Sequence, residues 1–206
     1  MGQISKSTFK KLTLLYFIGR FKKGAYSSYR VQKVFYFGTV GTATHPFSFM
    51  HTQHGQYSKP IRDDLDSLVA IGLVEKTGLE NTEEDGTMWT INPEAVSSGL
   101  IALLPKIDSP LAAALDKGVD EFGYLKREDI KSRAHEDPFL KKTERGHLLF
   151  DENLPDYIEV DLSEDECEDL ELSLNERFIV CMDHLVKAIE TTDFNVGKVK
   201  TVDSIL

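Results

Sequence analysis

The chain has 206 residues, is 41% hydrophobic and 28% charged, and carries a formal net charge of −10. With 10% aromatic residues it is too apolar to be disordered as a whole, and two cysteines are too few for a disulfide scaffold. The charge is polarised: residues 1–62 hold ten basic side chains and no carboxylate, while residues 63–206 hold the other 14 basic and all 34 acidic ones. No stretch approaches the roughly 20 apolar residues that span a bilayer, and the basic start lacks the small-residue cleavage site of a signal peptide. The expectation is a cytoplasmic protein with free thiols, large enough to bury a core without a staple.

Phe9, Leu12, Leu15, Tyr16 and Ile18 recur at helical spacing and predict a helix over 7–20, with Lys10 and Lys11 on its other side. Gly24 marks a turn. Val31, Val34 and Phe35 predict a second helix over 27–37, broken by the Gly38–Thr44 stretch. His45–Gly55 reads as an irregular or extended connection. Ser58 is the expected N-cap of a helix over 59–71, its hydroxyl taking an orphan amide, with Pro60 in the first turn and Gly72 as the stop. Asp63, Asp64 and Asp66 lie early in that helix, where its dipole favours carboxylates.

Leu73–Thr77 and Met88–Ile91 read as the strands of a hairpin joined by Gly78–Thr87. Asn92-Pro93 and Ser109-Pro110 are cap signals for helices over 93–104 and 110–121, and a helix over 126–135 stops at Asp137-Pro138. Ser163–Glu166 is a capping box. It opens a long helix with an apolar stripe of Cys167, Leu170, Leu174, Phe178, Cys181, Leu185 and Ile189. The tail from Asn195 is expected to be loosely held. The predicted fold is mainly α with a small β-hairpin wing: a winged helix-turn-helix-like core over 1–105, a helical continuation over 106–150, and an acidic segment with a long C-terminal helix over 151–206.

Three segments carry a family resemblance. They are Arg30-Val31-Gln32-Lys33-Val34-Phe35-Tyr36; His54-Gly55-Gln56-Tyr57-Ser58 with Asp64-Leu65, Leu68 and Gly72-Leu73-Val74; and His135-Glu136-Asp137-Pro138-Phe139 followed by Gly146. Together they resemble the Panacea domain, the SocA-like antitoxin domain, and related YwgA-like winged-helix proteins. Gln32, Lys33, Gly55, Tyr57, Ser58, Asp64, Leu65, Gly72, Leu73, His135 and Pro138 are the positions that match. His54 and Gln56 stand where the family usually has Tyr and Pro. The resemblance implies a helix-rich winged-helix fold and an antitoxin that binds and neutralises a toxin protein, sometimes by delivering it to a protease. It implies no enzyme, and members also serve phages and mobile elements in other roles.

No phosphate-binding loop, dinucleotide glycine pattern, HExxH or GxSxG occurs. His45, His51 and His54 lack the further ligands a metal site wants, and Cys181 with His184 lies on the apolar stripe, so no catalytic residue, cofactor or metal is expected. Lys10, Lys11, Arg20, Lys22, Lys23, Arg30, Lys33, Lys59 and Arg62 are candidates for a positive face. It would bind nucleic acid through phosphates, or dock against an acidic partner or the chain's own acidic remainder. Asp63, Asp64 and Asp66 sit badly on a recognition helix. Residues 151–176 hold twelve Asp and Glu and no Lys or Arg. They are either a solvated face or a docking surface, with Glu159, Asp161, Asp165, Glu166, Glu168 and Asp169 as candidate contacts. The preferred expectation is a non-enzymatic antitoxin that binds a basic toxin or a host or defence protein. The alternatives are a winged-helix transcriptional regulator and a phage or mobile-element adaptor with anti-defence action. No membrane contact is expected, and the long helix leaves a homodimer open.

Overall fold

The computed structural model describes residues 1–78, 86–92 and 100–176. A short strand β1 (Gly2–Ser5) leads into helix α1 (Lys6–Gly19), where the Ser5 hydroxyl caps the first turn by accepting from the Thr8 amide. α1 was expected to bury one face, but ten of its fourteen residues are buried, including Lys11, because elements pack around it on nearly every side. One hydrophobic cluster runs from Ile4 to Leu174 through all three predicted segments. Its centre is aromatic: Phe35 meets Phe17 and Phe47 edge to face, with ring centroids 5.1 and 5.4 Å apart.

Next come β2 (Ala25–Tyr26), α2 (Ser28–Thr39), β3 (Phe49–Thr52), β4 (Gly55–Tyr57), α3 (Lys59–Ala70), β5 (Val74–Gly78) and β6 (Thr87–Ile91). A 3-10 turn at Leu100–Ala102 precedes α4 (Leu104–Ile107), α5 (Ser109–Phe122), α6 (Arg127–Glu136) and α7 (Pro138–Lys142). Strands β7 (Leu148–Phe150) and β8 (Tyr157–Val160), helix α8 (Glu164–Glu171) and a π-wound turn at Leu172–Glu176 complete the described residues. The protein is thus mixed α/β, and its described residues form three small antiparallel sheets ordered β1-β8, β2-β6-β5 and β4-β3-β7.

The predicted β5–β6 hairpin forms, and β2 extends it by pairing Ala25 with Trp89. Two sheets were not anticipated. The His45–Gly55 connection contains β3, which forms a hairpin with β4 turning at Gly55 with φ +84°, where glycine avoids the usual Cβ strain. The acidic segment contains β8, which buries Val160 and half-buries Ile158 while Tyr157 and Glu159 face out; the density of charge hid that alternation.

Several local expectations are corrected. Gly38 does not end α2, which continues to Thr39. Instead Gly38 lies where α2 crosses α5, and a Cβ on Gly118 would stand only 2.8 Å from the Gly38 Cα. The cap of α5 is Asp108, whose carboxylate accepts from the Leu111 amide, so Ser109 falls inside the helix. The Ser58 hydroxyl makes no cap bond to α3. Of the helix expected over 93–104, residues 93–99 lie outside the described residues, and Leu100–Ala102 is a 3-10 turn. The capping box at Ser163 and Glu166 is present, and Cys167, Leu170 and Leu174 are buried. Phe178, Cys181, His184, Leu185, Ile189 and the tail lie outside the described residues.

Gly118→Ala should destabilise the protein by about 1–3 kcal/mol, because overpacking at the crossing exceeds the usual helix gain from replacing glycine. Urea denaturation measures this, and a stability gain would show that the two helices do not approach so closely.

Candidate functional site

Helical spacing places Gln32, Lys33 and Tyr36 on neighbouring positions of α2, and all three are buried. Each finds a partner in another motif-bearing segment. The Gln32 amide pairs with the Ser58 backbone like a strand: Nε2 donates to the Ser58 carbonyl at 2.9 Å, and Oε1 accepts from its amide at 2.8 Å. Lys33 Nζ donates to the Gln56 carbonyl. Tyr36 donates to Asp137 Oδ2 at 2.6 Å, and the Gln56 side chain donates to the same oxygen at 2.9 Å. Burial, then the Asp137 bond, pushes the Tyr36 phenol above its ordinary value. Asp137 also starts α7 by accepting from the Phe139 amide at 3.1 Å.

The three segments that carry the resemblance therefore meet at one buried polar network. Not every matching position takes part. His135 is exposed and Pro138 opens α7, so the working residue of that segment is Asp137. Leu65 and Leu73 are core, and Gly72 ends α3 with φ +77°. Asp64 is half-buried, and burial pushes its carboxyl up to about 6 against the opposing pull of Lys10 and Lys11. Asp137 and Gln56 were missed as network residues. The Asp-Pro step signalled a helix boundary, and nothing local signalled its second role.

Lys33 is 1% exposed. Desolvation lowers its ammonium to about 7, and none of the ion pairs among the described residues involves it. It lies 5.0 Å from the Tyr29 ring centre, and the Arg127 guanidinium lies 5.7 Å from the same ring. Both cations border a cleft of about 400 Å³ between α2, the β3–β4 hairpin and the start of α6. Tyr29, Gln53, His54 and Tyr57 also line it.

The nine predicted basic residues are largely consumed by the protein's own groups. Lys10 pairs with Glu152, which also pairs with Lys6 at 3.3 Å. Lys11 donates to the Leu174 carbonyl at 3.0 Å and to Asn175 at 2.7 Å. Arg20 pairs with Asp116, Lys59 with Asp63, and Arg62 with Asp66. Arg30 donates to the carbonyls of Gly123 and Leu125. Lys22 and Lys23 are exposed and take part in no ion pair among the described residues.

The acidic run divides. Burial works against the charge on Glu152, but Lys10 and Lys6 hold its carboxyl below the usual range. Glu171 accepts from the Ser5 amide, the Thr8 hydroxyl and Asn175, tying α8 to the start of α1. Glu166 is spent on the capping box. Glu159, Asp161, Asp165, Glu168 and Asp169 are exposed and enter no ion pair among the described residues. The three central histidines separate: His45 packs on Phe150, His51 bonds the Thr143 carbonyl, and His54 is exposed. No group of three or more His, Cys, Asp or Glu could hold a metal ion among the described residues. No helix among them is long and apolar enough to cross a membrane. No protein-family model matches the chain, and no curated protein matches it.

Lys33→Met should stabilise the protein by about 2 kcal/mol at pH 6, where the charged ammonium is buried without a counter-ion. The unfolded lysine titrates near 10.5 and the folded one near 7, so between these values the unfolded chain binds more protons and wild-type stability rises with pH. The advantage of the variant should fall steadily as pH rises and be gone or reversed by pH 10. Denaturation curves at both pH values check this, and a pH-independent difference would contradict it.

Proposed function

We propose that the protein is a non-enzymatic protein-binding module of antitoxin type that holds a basic partner on the exposed surfaces of β8 and α8. The observation that carries this is that each of these two elements exposes a large apolar side chain among carboxylates. Tyr157 is 66% exposed beside Glu159 on the outer side of β8, and Leu172, 40% exposed, follows Asp165, Glu168 and Asp169 at helical spacing. A face that served only solubility would hold the carboxylates without the large apolar side chains. Apolar anchors supply affinity, and the surrounding charge steers a basic partner and fixes its register. The convergence of the Gln32–Tyr36, Gln56–Ser58 and Asp137 segments supports the resemblance to the Panacea-type antitoxins. The order α1, β2, α2, β3–β4 hairpin, α3, β5–β6 hairpin, with β2 closing on β6, supports a winged-helix-like core carrying an extra hairpin between its second and third helices.

That core is proposed to serve the fold and the partner rather than nucleic acid. α3 precedes the β5–β6 hairpin, where a recognition helix would lie, yet Asp63 and Asp66 cancel Lys59 and Arg62 there. Only Lys22 and Lys23 of the predicted basic set remain exposed outside ion pairs among the described residues, too few for a phosphate-tracking surface. An adaptor acting on a host or defence complex would use the same surfaces of β8 and α8.

The test is co-expression with the protein encoded beside it. The neighbour should slow growth alone, and the chain should restore growth and co-purify with it. Changing Tyr157 and Leu172 to Ser should weaken capture at least tenfold, and Asp165→Lys with Asp169→Lys should slow association. A harmless neighbour that does not co-purify, or capture unchanged in these variants, would remove the proposal.

A further inference from the structure

The cleft beside Lys33 is built from other elements than β8 and α8 and stands independently of them. We propose that it is a binding site for a small ring-bearing organic anion. Lys33 and Arg127 would receive a carboxylate or phosphate group, and Tyr57 would receive the ring.

Charge is the first reason. The residues that line the cleft include two cations and no carboxylate. Asp137 lies behind Gln56, with one oxygen taking the Tyr36 hydroxyl and the Gln56 amide and the other the Phe139 amide. It is therefore already engaged and does not line the cleft. An ammonium carries three donors, and the Gln56 carbonyl is the one acceptor that Lys33 meets among the described residues. A buried cation without a counter-charge is costly, and an arriving anion relieves that cost.

Geometry is the second. Lys33 and Arg127 converge on one ring, at 5.0 and 5.7 Å from its centre. Two like charges held near one tyrosine repel each other, and an anion bound at the cleft they both line offsets that repulsion. Arg127 presents a planar fork that matches carboxylate or phosphate oxygens in pairs, while Lys33 acts as a point charge. The ring assignment follows from Tyr57 on the wall, whose face suits stacking, while the Tyr29 ring holds the two cations. A cleft of about 400 Å³ falls within the usual range of roughly 300–1,000 Å³ for small-molecule sites.

The full-length protein is titrated calorimetrically with benzoate, phenyl phosphate, adenosine monophosphate, inorganic phosphate and the neutral analogue benzamide. At least one ring-bearing anion should bind saturably and raise Tm, and benzamide should not. Arg127→Ala and Lys33→Met should each weaken binding about tenfold or more, as loss of a charged hydrogen bond predicts. Arg127 is exposed, so its variant should fold normally and keeps the test open if the Lys33 variant does not. A preference for benzoate assigns the carboxylate, and a preference for the phosphate esters assigns the phosphate; either supports the site. Inorganic phosphate binding as tightly as the esters would overturn the ring assignment. No saturable binding by any ring-bearing anion, or equal binding by both variants, would overturn the site.

Discussion

The structure depends on burying α1, a helix that carries lysines into its own packing. Lys10 is half-buried and Lys11 is buried. Ammonium groups cannot leave water unless the fold supplies acceptors. It draws these from the far end of the chain: Glu152 for Lys6 and Lys10, and the Leu174 carbonyl and Asn175 for Lys11. The π-wound turn at Leu172–Glu176 contains both acceptors of Lys11. The β1–β8 ladder, from Gly2 opposite Val160 to Ser5 opposite Tyr157, closes the same seam with backbone bonds. The polarity of the sequence is therefore in large part a folding device, in which most of the basic side chains of the first third find carboxylate or carbonyl acceptors later in the chain.

That use of charge divides the acidic run by role. Glu152 and Glu171 face inward and hold the two ends of the chain together. Glu159, Asp161, Asp165, Glu168 and Asp169 point away, where the fold has no cation for them among the described residues. Much of the predicted basic surface is consumed in the process, so the outer surface is more acidic than the first 62 residues suggest. Such a surface supports the proposal of a basic partner over nucleic acid. The cleft at Lys33 is the exception, a pocket of positive character whose cations enter no ion pair among the described residues.

Much of the helical framework was legible in the sequence because its signals are local. The apolar spacing of α1, α2, α3 and α5, the Gly72 stop and the Ser163 capping box each rest on a few adjacent residues. What was not legible depends on residues far apart in the chain. Gly38 reads as a breaker until Gly118 is placed against it. Ser58 reads as a cap until Gln32 is found to hold its backbone from 26 residues away. The strand Tyr157–Val160 was obscured because its exposed positions belong to a charge run. Of the candidate site, Gln32 and Lys33 were legible through the motif, whereas Gln56 and Asp137 emerged only when three segments met in space, and Arg127 only when the start of α6 was placed beside Tyr29.

The division of the acidic run is tested most directly by comparing two variants in urea denaturation at pH 7. One is Glu152→Gln; the other changes Glu159, Asp161, Asp165 and Asp169 together to their amides. The first should lose about 1–3 kcal/mol, because it leaves Lys10 without its partner. The second should be unchanged within about 0.5 kcal/mol, or slightly more stable through reduced repulsion. An equal or greater loss in the second variant would show that the outward carboxylates hold the fold, and would contradict the account.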